Sequence, residues 1–185
     1  MDKQEEILKA ALKLFVEFGF HGTPTSKIAK EAGVANGTLF HYYKTKNDLI
    51  LALYTDIKTR LTEHIDSKAS KNDSLKVAFK SLFINTLQWS QEYKQEFYFM
   101  QQFRVSPFIL LIPHEDILRQ AKAHLDIQAG IKNEILKPLP AEFLFSLINS
   151  HIYGIDQYLS STNLSDSKQQ KLIEDSFEIL WDMIA

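Results

Sequence analysis

No cysteine occurs anywhere in the chain, so disulfides and cysteine-ligated metal sites are excluded. That fits a reducing compartment. Long apolar runs are missing as well. A membrane helix needs roughly 18 consecutive apolar residues, and the stretch FILLI at 108–112 falls far short. Strand-like alternation is almost absent. The catalytic signatures HExxH and GxSxG and the glycine loops that cradle phosphate are absent too. The six histidines are scattered, and the one tight polar cluster, His114-Glu115-Asp116, reads as an acidic helix start. The opening MDKQEEILKAALKL is acidic and then amphipathic, unlike a secretory signal. These absences point to a cytoplasmic protein that is neither an enzyme nor a membrane protein, with no cofactor and no metal.

What is present suits a folded chain of one domain, or of a small module joined to a larger one. Of the 185 residues, 45% are hydrophobic and 24% charged, close to globular averages. The net charge of −2 is unevenly spread. Residues 23–47 carry Lys27, Lys30, Lys44 and Lys46 against Glu31, a local +3, which leaves −5 on the remainder. A basic island on an acidic body suits a protein that meets phosphate with one face.

Helical periodicity runs throughout and predicts an all-α fold. A first amphipathic helix carries Ile7, Leu8, Ala11, Leu14, Phe15 and Phe18 and stops at Gly19. Thr23 followed by Pro24 reads as a hydroxyl cap with proline at the first helical position. That helix should run to Ala32 and end at Gly33, followed by a short helix at 36–43. Thr45 or Asn47 can cap a long one at 47–66. Further helices are expected at 73–90, 93–105, from the Pro107–Pro113 kink to about 136, at 141–160 and at 167–184. Ser70 to Asp73 reads as a loose joint.

Residues 23–43 therefore predict a helix, a tight glycine turn and a second helix, the helix-turn-helix pattern that places its second helix in the major groove. Ala29 is small where the helices cross, and Val34 and Leu39 supply the apolar contacts. Asn36, Thr38, His41 and Tyr42 are side chains of the kinds that bond base edges or phosphates. Lys46 can clamp a phosphate, and Tyr43 belongs to the core.

The stretches ILKAALKLFVEFGF at 7–20 and TPTSKIAKEAGVANGTLFHYYKTKNDL at 23–49 resemble the DNA-binding domain of the tetracycline-repressor (TetR) family of bacterial regulators. The pattern IAxxAGVxxGTLxxYYxxK that carries the resemblance is long and specific. The resemblance implies a DNA-binding domain at 1–46 and a helical ligand-binding and dimerisation domain at 47–185. It implies a homodimeric repressor, released from its double-stranded DNA operator when a small molecule binds. It places Thr25 and Ser26 at the start of the helix before the turn, and puts Asn36, Gly37, Thr38, Tyr42 and Lys46 on DNA-contact positions. Ala35 stands where the family commonly caps the reading helix with serine or threonine. Phe40 stands where it often has a tyrosine that reaches phosphate, so Phe40 is expected to be core or an apolar contact. Asn36 offers a substitute cap, one residue on.

The rest of the chain is rich in rings. Phe79, Phe83, Trp89, Tyr93, Phe97, Phe99 and Phe103, with Met100 and Arg104, are the expected lining of an apolar ligand pocket. Packing among themselves is the competing role for most of these rings. Phe99→Trp or Phe103→Trp is expected to fill the pocket. Ligand charge stays open: Glu92 and Glu96 suit a cation, Arg104 and His114 a carboxylate. The stripe Leu144, Ile148, His151, Ile155, Leu159, with Ile173, Phe177 and Leu180 on the last helix, is the expected dimer interface. It broadens to Phe143, Leu147 and Tyr158, more apolar area than a small domain easily covers. A helical module that binds protein or lipid and has lost specific DNA binding is the alternative.

Overall fold

A computed structural model describes residues 2–68, 74–112 and 122–185. Among these are nine α-helices, one 3₁₀ turn and no strand. The expected loose joint at 70–73, Pro113 and the His114-Glu115-Asp116 cluster lie outside the described residues. The described residues form two compact units, one of residues 2–60 and 93–112, the other of residues 61–68, 74–92 and 122–185. The division expected at 46/47 falls inside the first unit.

In the first unit, α1 (Lys3–Phe18) starts where the Asp2 carboxylate accepts the Gln4 N–H at 3.2 Å. It ends at Gly19, whose φ of 70° and ψ of 171° lie in a region essentially reserved for glycine. Thr23 does not cap α2 (Thr25–Glu31), which starts one residue later than expected, with Pro24 at the cap. Thr23 is instead fully buried, and its Oγ1 lies 3.0 Å from the Leu14 carbonyl and 2.8 Å from that of Gly19. One hydroxyl thus ties the end of α1 to the loop that launches α2. Thr23→Val keeps the shape and removes the donor, so the buried hydroxyl bond to the Leu14 and Gly19 carbonyls is lost. It should cost about 1–3 kcal/mol in urea unfolding.

Gly33, with φ 65°, closes α2, and the Val34 N–H returns to the Ala29 carbonyl at 2.9 Å. Then come α3 (Asn36–Tyr42) and α4 (Lys46–Asp66). Thr45 caps α4 reciprocally: the Asp48 N–H donates to Thr45 Oγ1 at 3.1 Å, and the Thr45 N–H donates to Asp48 Oδ2 at 2.9 Å. Later in the chain, α6 (Lys94–Arg104) and the 3₁₀ turn Pro107–Leu111 join the same unit. Their rings explain why. Phe99 lies 6.2 Å from Phe15 and 5.5 Å from Phe20 between ring centroids. Phe108 lies 5.1 Å from Phe20, and Phe103 stacks on Tyr54 at 4.1 Å. Ile7, Phe15, Ile28, Leu39, Leu49, Ile50 and Phe99 are all fully buried. The N-terminal helices alone are too small to enclose these residues, and α6 completes the core.

In the second unit, α5 (Leu75–Glu92), α7 (Lys122–Lys132), α8 (Ala141–Ser161) and α9 (Asp166–Ile184) pack together. Phe83, Leu87, Trp89, Leu144, Phe177 and Ile184 are among its most buried large side chains. Polar ties cross this core. His151 Nε2 lies 2.9 Å from the Ser176 carbonyl, a contact that requires the Nε2–H tautomer. Gln91 Nε2 donates to the buried Asp156 carboxylate at 3.0 Å. Lys76 and Lys80 both reach Glu178, at 2.6 and 2.9 Å. Lys137 Nζ donates to the carbonyls of Asp182 and Met183 at the end of α9.

Candidate nucleic-acid interface

The candidate reading surface is built from α2, the Gly33 turn, α3 and the start of α4. At about 100° per residue, Leu39 and Tyr43 fall on one side of α3. Both are buried, Leu39 completely, and they anchor the helix. That leaves Asn36, Gly37, Phe40 and His41 exposed on the other side, with Tyr42 exposed at the flank and Thr38 half-buried. On the preceding helix, Ser26 is exposed and Thr25 half-buried in its first turn. Every sequence-predicted contact residue thus has accessible surface, and none has been absorbed into the core.

The rings of His41 and Tyr42 meet edge-on at 5.6 Å. Lys44 Nζ folds back to the His41 carbonyl at 3.4 Å, adding positive charge at the C-terminal end of α3. Lys46 sits in the first turn of α4, fixed there by the Thr45–Asp48 cap. Partial burial lowers the pKa of its ammonium from the ordinary lysine value. Desolvation of this kind disfavours the charged form, and an anion placed against the ammonium relieves it. Lys27 differs from the other lysines of the basic island, since its Nζ lies 3.3 Å from the centroid of the Phe18 ring. Lys13 and Glu31 pair across α1 and α2, and the hydrogen bond between them lowers the Glu31 pKa.

One expectation about α3 needs correction, and another is narrowed. No side chain caps it: Ala35 is the cap residue, and Asn36 is already helical, so the cap has not moved one residue on. Of the two roles expected of Phe40, core is excluded, for 37% of it is exposed, and an apolar contact is the one left. The helical wheel carries the missing signal, because Phe40 follows Asn36 by four residues and Gly37 by three. Ala35 has φ −66° and ψ 148°, the backbone conformation of a capping residue. Ala35→Ser should therefore stabilise the protein by about 1 kcal/mol. That corresponds to a rise of roughly 2–4 °C in the thermal midpoint, read by circular dichroism.

The residues proposed for a ligand pocket divide between the units. Tyr93, Phe97, Phe99, Met100, Phe103 and Arg104 belong to the first; Phe79, Phe83 and Trp89 belong to the second. Phe99 and Phe103 are packed by other rings of the first unit, as above. Phe83 stacks on His151 at 5.9 Å and meets Phe177 at 5.7 Å, and Phe79 meets Trp181 at 6.1 Å. Glu96 is paired with Arg60 at 3.6 Å. In the proposed dimer stripe, Leu144, Ile148, Leu159, Ile173, Phe177 and Leu180 are buried within the unit, and His151 and Ile155 are half-buried. The inward stripe is consumed by packing among α5, α8 and α9. Turned outward instead are Phe143 (52% exposed), Tyr158 (51%), Ile179 (63%) and Met183 (39%).

Comparison with known proteins agrees with this geometry. Residues 7–53 match the family model described as bacterial regulatory proteins, tetR family. The fatty acid metabolism regulator protein of Bacillus subtilis (strain 168) is 35% identical over 85 residues, 44% of this chain and 44% of that protein. The chain thus spans under half the length of that relative. A crystal structure from Shewanella sp. PV-4, assigned to the tetR family of transcription regulators, is 28% identical with a TM-score of 0.86. The match covers 100% of this chain and 99% of that one. The Bacillus subtilis regulator FadR, solved in complex with stearoyl-CoA, has the same fold: TM-score 0.75, 21% identity, 95% of this chain and 96% of that one. Residues 7–53 are thus similar to the tetR family of bacterial regulatory proteins, and the whole chain shares the fold of a solved regulator assigned to that family. The α2–turn–α3 segment lies within the residues that match the family model. No helix among the described residues is long and apolar enough to cross a membrane.

Proposed function

We propose that the chain is a cytoplasmic homodimeric repressor that binds a near-palindromic operator and leaves it when an amphipathic small molecule binds. One observation carries the DNA half of this reading. A short helix anchored by fully buried Leu39 presents Asn36, Gly37, His41 and Tyr42 outward, beside a lysine fixed by a helix cap. Asn36, His41 and Tyr42 read bases or orient phosphates, Thr25, Ser26 and Thr38 hold the backbone, and Lys46 clamps a phosphate. The reading is of binding, not catalysis.

The dimer is supported by the outward stripe of Phe143, Tyr158, Ile179 and Met183 on α8 and α9, with half-buried His151 and Ile155 at its edge. Two-fold symmetry of the protein then appears as two half-sites in the operator.

For the ligand we propose an acyl compound with an anionic head, consistent with what the Bacillus relatives' names and contents say of those proteins. The ring-rich segment from Tyr93 to Arg104 in the first unit supplies apolar surface. Lys58 supplies a half-buried ammonium whose pKa is lowered by burial and by the neighbouring charge of Arg104, an environment an anion relieves. By linkage, a ligand that weakens DNA binding must itself bind less well when DNA is present, by the same about 1–3 kcal/mol.

The test is Lys46→Ala. Each phosphate contact contributes roughly 0.9 to the slope of log K against log salt, so the variant should lose about one unit per protomer. Binding should fall for all sequences alike. An unchanged slope would remove Lys46 from the interface.

A further inference from the structure

We propose that Phe40 reads a thymine methyl group in the operator and is a specificity-determining residue of the reading helix. The proposal rests on the DNA-binding reading above. The rings at both ends of the HYY run keep a polar edge or hydroxyl, whereas Phe40 has neither. Its phenyl ring is 37% exposed on α3, while Leu39 and Tyr43, on either side of it along the buried seam, face inward. An exposed phenyl on a surface otherwise made of Asn36, His41, Tyr42 and lysines has no packing role that requires the exposed part. It cannot donate or accept a hydrogen bond, so it cannot replace the tyrosine hydroxyl on a phosphate. In the major groove the one apolar group on a base edge is the C5 methyl of thymine, and side chains such as Phe recognise it by contact.

Gly37 adds a second observation. It precedes Phe40 by three residues on the exposed side of α3, its φ is not positive, and a Cβ built on it meets nothing within 4 Å. No contact inside the chain asks for glycine there, although glycine inside a helix is disfavoured against alanine. The missing side chain leaves open space beside the ring on the outward side. A base pair can enter that space far enough for its methyl to touch the phenyl edge. Asn36 and His41, in the same exposed set, then meet the hydrogen-bonding groups of the neighbouring bases.

The experiment uses the full chain and an operator recovered by selection from a random duplex pool. Each thymine is replaced in turn by deoxyuridine, which removes the methyl and nothing else. At one thymine per half-site the wild type should bind about fourfold more weakly, the effect of one methyl-sized apolar contact. Substitution in both half-sites should multiply the two effects, to roughly sixteenfold. Phe40→Ala should bind the thymine and uracil operators equally, whereas Phe40→Leu, which keeps an apolar side chain, should retain a preference for thymine. Helicity by circular dichroism confirms that both variants are folded. Phe40→Ala that retains the wild-type methyl preference overturns the proposal. So does a wild type indifferent to every thymine methyl, the result expected if the ring rests on a deoxyribose. A wild type that enriches no sequence from the pool overturns the DNA-binding reading as well, and that failure is recognised because it precedes any variant.

Discussion

Phe99→Ala will destabilise the protein by about 3–5 kcal/mol, the usual loss for deleting a buried phenyl ring. Phe99 is fully buried on α6, with Phe15, Phe20 and Phe103 around it at centroid distances of 5.5 to 6.5 Å. Two of these rings come from the end of α1 and the turn after it, which lead into the reading head. Removing the phenyl leaves a cavity where α6 meets α1, so operator binding should weaken together with stability. Because whole domains are stable by only about 5–15 kcal/mol, the variant should be partly unfolded at modest temperature. Urea unfolding followed by helicity measures the change. A loss below about 1 kcal/mol with an unchanged slope would mean that Phe99 is not the buried link described above. Phe99→Trp and Phe103→Trp now carry a different expectation from the sequence-based one. Larger rings at close-packed positions strain the core by about 1–3 kcal/mol, so DNA binding itself should suffer, and a selective block of the ligand is not expected.

Ile179→Glu should convert the protein to a monomer while leaving its helices intact. Ile179 is 63% exposed on α9, so glutamate there is tolerated by the isolated protomer. In a symmetric dimer the same substitution enters the interface twice, placing two carboxylates where apolar surface should meet. An unpaired charge buried in this way costs several kcal/mol, and each 1.4 kcal/mol is tenfold in association. Operator affinity should fall by about a hundredfold or more, since one protomer holds one half-site. Sedimentation at micromolar concentration is the check. A dimer of unchanged strength would move the interface away from α8 and α9.

Much of the architecture was legible in the sequence because local rules and global packing agree. Glycines at 19 and 33, apolar spacing in α1 and α4, and prolines and polar breaks later in the chain mark the helices nearly as observed. Thr23 misled because a hydroxyl before proline is a genuine capping signal. Its other option, bonding back to carbonyls nine and four residues earlier, is visible only once α1 has folded. The exposed polar face of the reading helix was readable, and Phe40 was left between core and apolar contact, since an apolar residue near a core seam can take either role until its angle is known. The dimer stripe shows the same limit. The periodic pattern of α8 and α9 finds their apolar sides, yet it cannot say which apolar residues a neighbouring helix covers. The ring-rich segment was harder still, because sequence proximity joins Trp89 to Phe99 while the fold assigns them to different units.

Salt-titrated binding of the wild-type chain to its selected operator and to random duplex of equal length bears most directly on the assignment of α2 and α3 as a sequence reader. Affinity for both duplexes should fall as salt rises, while the operator stays favoured by about a thousandfold or more. Equal affinity for the two duplexes, fading together as salt screens the charges, would contradict it.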